Sequence, residues 1–368
     1  MPADLAAIRE RLERVEHPAF HKGLGELSLI DGVELSGRRL SLQITVHSPG
    51  DALQRALLER VHAAVAELPE GGDLDVHVAF ELAVPMRPSS QDDPVPNVKN
   101  VVLVMSGKGG VGKSTTAVNL ALALKRAGTR VGLLDADIYG PSIPTMLGVS
   151  GNPQSKDGKT IEPLQRFGVK LMSIGFMIES DKDAIIWRGP MLQGALMQFL
   201  GDVSWGELDY LVLDLPPGTG DVALSLAQRL KTTGAVIVTT PQEVALQDVY
   251  KAVSMCKKLH LPILGVIENM SYFIDSAGVK HELFGAGGGE KIAEFAEAPL
   301  LGQVPLDPTV REWGDGGTPI VQASPGHPAA RALCAVAEAL ADRIALDAFE
   351  RGGGKRAPDP KGKSRLKI

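Results

Sequence analysis

Cysteine is scarce in this chain, since only Cys256 and Cys334 occur among 368 residues. Two cysteines exclude a disulfide framework and favour a reducing compartment, so the expected location is the cytoplasm. No apolar run approaches the roughly 20 residues of a membrane span, and the first residues lack the basic and apolar regions of a secretion signal. The net charge of -6 provides no global basic field. These absences argue against partners at a membrane and against nucleic acid.

The length and composition are sufficient for two folded domains. With 368 residues, of which 44% are hydrophobic and 22% charged, the chain can bury a large core. Proline, serine and aspartate are concentrated in residues 86–98 and predict an extended linker. We therefore predict a small α+β domain over residues 1–85 and a larger domain over residues 99–350. Residues 351–368 are basic and rich in glycine and proline, which predicts a disordered, solubilising tail, with contact to nucleic acid or anionic lipid as the alternative.

Hydrophobic periodicity predicts an α-β-β-α-β order for the small domain, with Gly32 and Gly37 near a hairpin turn. The pattern is helical in residues 5–15 and 53–65, and alternating in residues 40–46 and 74–82. This order resembles the small domain of iron–sulfur assembly factors. The cysteine that often follows the second strand in those proteins is absent, and the chain has His47 there. His47 is a candidate ligand, but a single histidine is more often an ordinary surface or core residue.

A glycine-rich run follows the apolar segment Val101–Met105 and precedes a helical pattern. Glycines allow successive backbone N–H groups to surround phosphate oxygens, and the helix N-terminus adds partial positive charge. Lys113 would reach the β and γ phosphates, and the Ser114 hydroxyl would bind Mg²⁺. The strand, the loop and the helix together predict a nucleoside triphosphate site. Its residues are Gly107, Lys108, Gly109, Gly110, Val111, Gly112, Lys113, Ser114 and Thr115.

Lys108 is a second lysine that an ordinary phosphate loop does not require. The loop resembles the deviant Walker A motif of the MinD, ParA and nitrogenase iron-protein ATPases. That resemblance implies a homodimer in which Lys108 crosses the interface to the partner's nucleotide. The alternative is a solvated loop lysine.

Acidic residues end two further apolar runs, Val131–Asp135 and Tyr210–Asp214. Apolar β-branched runs that alternate with helical patterns predict an α/β fold, a mostly parallel-sheet P-loop NTPase domain preceded by the small α+β domain. Ligands of such sheets bind at the carboxyl ends of the strands. We therefore expect Asp214 and Asp135, with Ser114, to hold Mg²⁺. The alternative is that these acids only cap loops.

Several longer motifs resemble the Mrp-type, or ApbC-like, iron–sulfur cluster carriers. They include Asp135–Ser142, Trp187–Met191, Asp214–Asp221, Glu268–Tyr272 and Leu283–Glu290. The resemblance implies a cytosolic homodimeric ATPase that uses ATP and Mg²⁺ and passes iron–sulfur clusters to apoproteins. It also implies that Asp137 orients or activates the attacking water and that Asn269 faces the adenine, although Asn269 alone could be a polar strand cap.

The chain departs from the family pattern in the motif that would supply ligands to the iron–sulfur cluster. Where the family usually has Cys-x-x-Cys, this chain has Ile274-Asp275-Ser276-Ala277-Gly278. Thiolates are the normal cluster ligands. Cys256 and Cys334 lie in helical patterns typical of small core residues, and His281 is a candidate substitute ligand. The iron–sulfur cluster ligands are therefore not evident. An ATP-switched adaptor without its own cluster is the first alternative function, and a ParA-like ATPase that binds DNA is the second.

Overall fold

The computed structural model describes residues 4–69, 71–137, 140–155, 157–177, 189–218, 224–226 and 229–352, with the side chains of 189–193 left out. Outside these ranges lie the predicted tail beyond residue 352 and parts of the quoted motifs, namely Ile138, Tyr139, Trp187, Arg188, Thr219, Gly220 and Asp221. The chain forms two compact units, residues 1–86 with 341–368 and residues 87–340. In the described ranges, no helix combines the length and the apolar character that a membrane span requires.

The first unit has the α-β-β-α-β order that its periodicity predicts. Its elements are α1 (Leu5–Glu13), β1 (Ile30–Ser36), β2 (Arg39–Val46), α2 (Asp51–Ala66) and β3 (Asp75–Leu82). Strand β2 pairs antiparallel with β1 and parallel with β3. Gly37, with φ 61°, occupies the β1–β2 turn, a conformation that glycine adopts without steric cost. The buried faces of the helices and strands form one core, to which Phe349 of the chain's last helix, Pro328–Arg351, contributes.

The second unit is an α/β domain, which confirms the predicted fold class. Its strands are β4 (Val98–Ser106), β5 (Val131–Asp135), β6 (Leu164–Arg166), β7 (Val169–Ser173), β8 (Leu208–Asp214), β9 (Gly234–Thr239), β10 (Ile263–Glu268), β11 (Phe273–Ile274), β12 (Lys280–His281) and β13 (Leu300–Gln303). Its helices are α3 (Lys113–Arg126), α4 (Ile143–Leu147), α5 (Gly189–Gly201), α6 (Glu243–Lys258), α7 (Gly288–Ala296), α8 (Pro308–Asp315), α9 (Ile320–Ala323) and α10 (Pro328–Arg351), whose last residues belong to the first unit.

Eight strands form one sheet in the order β13-β10-β9-β4-β8-β5-β7-β6. Neighbouring strands are parallel except for β6 and β7. The central strands β4, β8 and β9 are almost entirely buried, as expected for a sheet covered on both faces. In this order, the end of β4, from which the glycine-rich loop emerges, lies beside the end of β8. Strand β5 is the next strand beyond β8.

The segment predicted as an extended linker has no regular secondary structure between residues 86 and 97, and residues 88–92 are exposed, but Arg87, Asp93 and Val95 are buried. Arg87 donates two hydrogen bonds, of 2.5 and 3.0 Å, to the carboxylate of Asp93, and both side chains are fully buried. Arg87 also donates to the carbonyls of Val95 and Lys231. Composition alone does not reveal such an ion pair, because the same residues also suit a solvent-exposed tether.

Candidate functional site

The loop between β4 and α3 has the backbone geometry of a phosphate-binding loop. Gly110 and Gly112 adopt φ of 82° and 81°, values that glycine tolerates and side chains disfavour. A Cβ on Gly107 would lie 2.4 Å from the backbone of Asp248, and a Cβ on Gly112 would lie 2.2 Å from Asn269 Nδ2. The glycines are thus required by conformation and by packing. A loop of this kind, joined to a helix N-terminus, is suited to anions.

Lys113 is the first residue of α3, and its ammonium group lies among oxygen atoms. Lys113 Nζ donates to Asp214 Oδ1 at 2.6 Å and to Ser114 Oγ at 3.3 Å, and it lies 3.9 Å from Asp137 Oδ2. The side chain is only 6% exposed. A buried ammonium group is costly without such partners. The structure therefore brings together four of the residues that the sequence predicts for this site.

Asp214 is the residue that best fits a metal ion. It is fully buried at the end of β8, and its Oδ2 makes no hydrogen bond to any described residue. Burial raises the pKa of Asp214, while the charge of Lys113 and a hydrogen bond from Ser114 oppose that rise. An orphaned carboxylate oxygen beside a hydroxyl group is a donor set that suits Mg²⁺.

Asp135 lies at the end of β5, in register with Asp214 on the neighbouring strand. Burial, and next the negative charge of Asp214, raise the pKa of Asp135 to about 8. Its Oδ1 accepts from the Asp137 N–H at 3.1 Å, and its Oδ2 accepts from Ser173 Oγ at 3.0 Å and from the Ile143 N–H at 3.4 Å. Both oxygens are thus engaged by the protein, and Asp135 orders the turn that presents Asp137.

Lys108 differs from Lys113 in having no ion-pair partner among the described residues. Its side chain is half-buried, and within the described ranges no carboxylate lies within ion-pair distance of it. Its backbone is held by Ser106, whose Oγ donates to the Lys108 carbonyl at 3.0 Å. The backbone of the loop is therefore fixed at this residue, while the ammonium group of Lys108 is not neutralised by a carboxylate of the described residues.

A cavity of about 640 Å³ opens beside the phosphate loop. Gly112, Thr115 and Asn269 line its end at the loop, and mainly apolar side chains line the rest. Asn269 is 8% exposed and donates from Nδ2 to the Val111 carbonyl at 2.9 Å, while its amide oxygen can accept a hydrogen bond from a base. Concave apolar sites with few polar groups are typical of small-molecule binding.

Glu268 is a buried carboxylate whose importance the sequence analysis missed. It is fully buried at the end of β10 and accepts from Ser271 Oγ at 2.5 Å, the Gly289 N–H at 2.5 Å and Gln303 Nε2 at 2.9 Å. Glu268 thereby fixes the turn that begins with Asn269. The available signal was an acid at the end of an apolar strand, the pattern already used for Asp135 and Asp214.

The candidate cluster ligands do not come together. His281 Nε2 lies 2.7 Å from Asp275 Oδ2 within the hairpin formed by β11 and β12. Cys256 is fully buried on α6, where burial raises the pKa of its thiol to about 11, and Cys334 is half-buried on α10. His47 is buried in the first unit and its Nδ1 lies 2.8 Å from the Ala83 carbonyl. Among the described residues, no group of three or more His, Cys, Asp or Glu side chains could hold a metal ion.

Two family models match the chain. The model described as the NUBPL iron-transfer P-loop NTPase, of the ParA type, matches residues 97–341. The model described as an iron-sulfur cluster assembly protein matches residues 5–78. The two matches fall on the two kinds of domain that the sequence predicts.

Named relatives extend over nearly the whole chain. An iron-sulfur cluster carrier protein of Synechocystis sp. is 45% identical over 350 residues, which are 93% of this chain and 98% of the relative. The carrier protein of Escherichia coli K12 is 43% identical over 94% of this chain and 93% of its own length. A solved nucleotide-binding protein of Archaeoglobus fulgidus, in complex with ADP, is 41% identical with a TM-score of 0.53 over 60% of this chain and 87% of its own. The chain therefore belongs to the family of ParA-type iron-transfer P-loop NTPases.

Proposed function

We propose that this NTPase binds and hydrolyses ATP as a homodimer and uses the nucleotide cycle to deliver iron–sulfur clusters to apoproteins in the cytoplasm. The observation that carries the ATPase part is the position of Lys113 at the start of α3, between the carboxylates of Asp214 and Asp137. The phosphates would lie in the loop 107–115. The base would lie in the cavity lined by Thr115 and Asn269.

Phosphate binding would exchange the partners of Lys113. In this structure the ammonium group neutralises Asp214, at 2.6 Å. When Lys113 turns to the β and γ phosphates, Asp214 would be left as a buried anion unless another cation compensates it. Ser114 and Asp214 would hold Mg²⁺, which supplies positive charge to the phosphates. This exchange explains why the same carboxylate suits both a lysine and a metal ion.

The hydrolytic step requires mainly positioning and charge. Asp137 is 13% exposed and lies 3.9 Å from Lys113 Nζ, so its carboxylate is close enough to the phosphates to orient a water molecule. Lys108 of a second subunit would neutralise charge that develops on the transferred phosphoryl group. Its half-buried position without an ion-pair partner among the described residues supports that role.

The names of the relatives support iron–sulfur cluster carriage, with apo iron–sulfur proteins as partners. The donor set of this chain does not fit a cluster held by thiolates. Cys256 is fully buried with a raised thiol pKa, and residues 274–278 contain no cysteine. Thiolates are the usual ligands. An adaptor that switches with ATP and does not hold its own cluster is therefore the second candidate. The hairpin favours the adaptor, because the carboxylate of Asp275 is paired with His281 there and no thiolate is present.

Anaerobic reconstitution with iron and sulfide separates these candidates. The full chain is purified, reconstituted and analysed for visible absorbance and for iron and sulfide per dimer, while ATP hydrolysis is measured on the same sample. A stoichiometric cluster that is lost in Cys256→Ser, Cys334→Ser or His281→Ala supports the carrier. No cluster together with intact hydrolysis supports the adaptor. Hydrolysis that survives in Lys113→Met would contradict the assigned ATP site.

A further inference from the structure

The hairpin of β11 and β12 contributes directly to the cavity beside the phosphate loop. Phe273, the first residue of β11, lines this cavity, and so does Leu283, two residues beyond β12. Ile274, the next residue of β11, is 42% exposed. Because alternate residues of a strand point to opposite faces, the hairpin presents Phe273 to the cavity and Ile274 to solvent.

The hairpin forms a small unit of its own. Phe273 pairs with His281 and Ile274 with Lys280, and within the described part of the chain these strands form a separate two-stranded sheet. Asp275 Oδ1 accepts from the N–H groups of Ala277 and Val279, each at 2.9 Å. These bonds stiffen the loop, so a force on Phe273 is expected to move the hairpin as one body.

The base of the hairpin is attached to the large sheet. Ser271 Oγ donates to Glu268 at 2.5 Å, and the Ser271 N–H donates to the Val304 carbonyl at 2.9 Å. The Leu306 N–H donates to the Tyr272 carbonyl at 2.7 Å. The chain is thus fixed up to residue 272. Beyond this point, the side chain of Phe273 is the next contact between the hairpin and the nucleotide cavity.

We propose that Phe273 and Leu283 contact the nucleotide base, and that base binding thereby sets the position and mobility of the hairpin 273–281. The inference rests on the proposed ATP site at the phosphate loop, because the cavity is continuous with Gly112 and Thr115. A planar base can pack against an aromatic ring and an apolar side chain. Phosphates held by the loop lack that contact, so the coupling requires the nucleoside.

The proposed coupling depends on the base of the nucleotide and not on its number of phosphates. ATP and ADP carry the same base, so both are expected to order the hairpin, whereas inorganic tripolyphosphate is not. The hairpin therefore reports whether a nucleotide is bound rather than whether the γ-phosphate is present. Its exposed outer residues, Ile274 and Val279, are 42% and 52% exposed and would be presented differently in the two states.

Calorimetric titration of the full-length protein with Mg-ATP and with Mg-tripolyphosphate tests the base contact. Phe273→Ala is expected to weaken ATP binding about tenfold, since base–aromatic stacking is commonly lost on substitution by alanine. The same variant should bind tripolyphosphate like the wild type, which also shows that it is folded. Phe273→Leu keeps an apolar contact and should recover part of the ATP affinity. Ile274→Ala is the matched control and should bind both ligands normally.

The outcomes separate this inference from the proposed function. If the wild type binds neither ligand, the ATP site itself is wrong and the inference falls with it. If the wild type and Phe273→Ala bind ATP equally well, the ATP site stands and the base contact is overturned. An equal loss of ATP and tripolyphosphate affinity in Phe273→Ala would also overturn it, because the residue would then act on the loop or on folding.

Hydrogen exchange of the peptide covering residues 273–281 tests the mobility. The amides of Asp275, Gly278 and Val279 donate hydrogen bonds within the hairpin. ATP and ADP should slow their exchange in the wild type, tripolyphosphate should not, and Phe273→Ala should lose the effect at saturating ATP. Exchange that is unchanged by ATP in the wild type would overturn the coupling.

Discussion

Replacing Lys113 by Met should destabilise the nucleotide-free protein, because it removes the cation that compensates Asp214. The two side chains are 6% and 0% exposed, and Nζ lies 2.6 Å from Oδ1. Breaking one partner of such a buried pair typically costs about 3–5 kcal/mol. Asp214 can escape by taking up a proton, which at pH 7 costs an ordinary aspartic acid about 4 kcal/mol. We therefore expect a loss of about 3–4 kcal/mol in the free energy of unfolding.

Replacing the other partner of the pair, Asp214, should lower the free energy of unfolding less. In Asp214→Asn, Lys113 keeps Ser114 Oγ at 3.3 Å and the carboxylate of Asp137 at 3.9 Å, so the ammonium group is still compensated. A loss of about 1–2 kcal/mol is expected, which is that of a weakened buried hydrogen bond. The double variant should be more stable than Lys113→Met alone, with a coupling of at least about 2 kcal/mol, because no buried anion is left at position 214.

Urea unfolding followed by tryptophan fluorescence measures this cycle. The chain has three tryptophans, Trp187, Trp205 and Trp313. Trp205 and Trp313 lie in the unit of residues 87–340, so their signal reports the domain that contains the pair. Lys108→Met is the matched control and should unfold like the wild type. Equal destabilisation of Lys113→Met and the double variant, or of Lys113→Met and Lys108→Met, would refute the reasoning.

Three further predictions follow from single sites. Because the pKa of Asp135 is raised to about 8, the folded protein keeps a proton that the unfolded chain releases above about pH 4, so Asp135 should make stability fall between about pH 4 and pH 8 by up to about 1.4 kcal/mol per unit, and Asp135→Asn should flatten that slope. Burial lowers the pKa of His17 to about 4, which makes stability rise with pH between about pH 4 and 6.5, so the fall caused by Asp135 is measured between about pH 6.5 and 8. Gly107→Ala should lower the thermal midpoint, since its Cβ would meet backbone at 2.4 Å, whereas Gly109→Ala has nothing within 4 Å and should not. Lys108→Ala should bind ATP normally in calorimetry but lose ATP-dependent dimerisation and turnover, and unchanged hydrolysis would contradict a role in the partner's site.

The local patterns predict the strands well. The acids Asp135 and Asp214 do end buried strands, and the glycine-rich run does join a buried strand to a helix. These features depend on neighbouring residues, which the sequence displays directly. The order of the strands in the sheet, in contrast, is not displayed by neighbouring residues. That Asp135 lies in register with Asp214 follows from crossover connections, which the periodicity of a single strand does not encode.

The cavity could not be predicted in the same way. Phe273 and Leu283 are apolar residues of irregular sequence, with no spacing that marks a binding site. They reach the cavity only because the turn that follows Glu268 is held against the strand Leu300–Gln303. The buried ion pair of Arg87 and Asp93 escaped prediction for a related reason. In the sequence, Arg87 and Asp93 do not differ from exposed charged residues of a polar segment, because only the fold buries them.

The three acids that end strands of this domain are compensated in three different ways. Asp214 has an ammonium group at 2.6 Å, Asp135 has a pKa raised to about 8, and Glu268 accepts from three uncharged donors. Only the first arrangement involves a cation that nucleotide phosphates would attract away. A carboxylate that loses its cation when phosphate binds gains affinity for another cation at that moment. We therefore propose Asp214 rather than Asp135 as the metal ligand, and we expect the binding of phosphate and of Mg²⁺ to be mutually dependent.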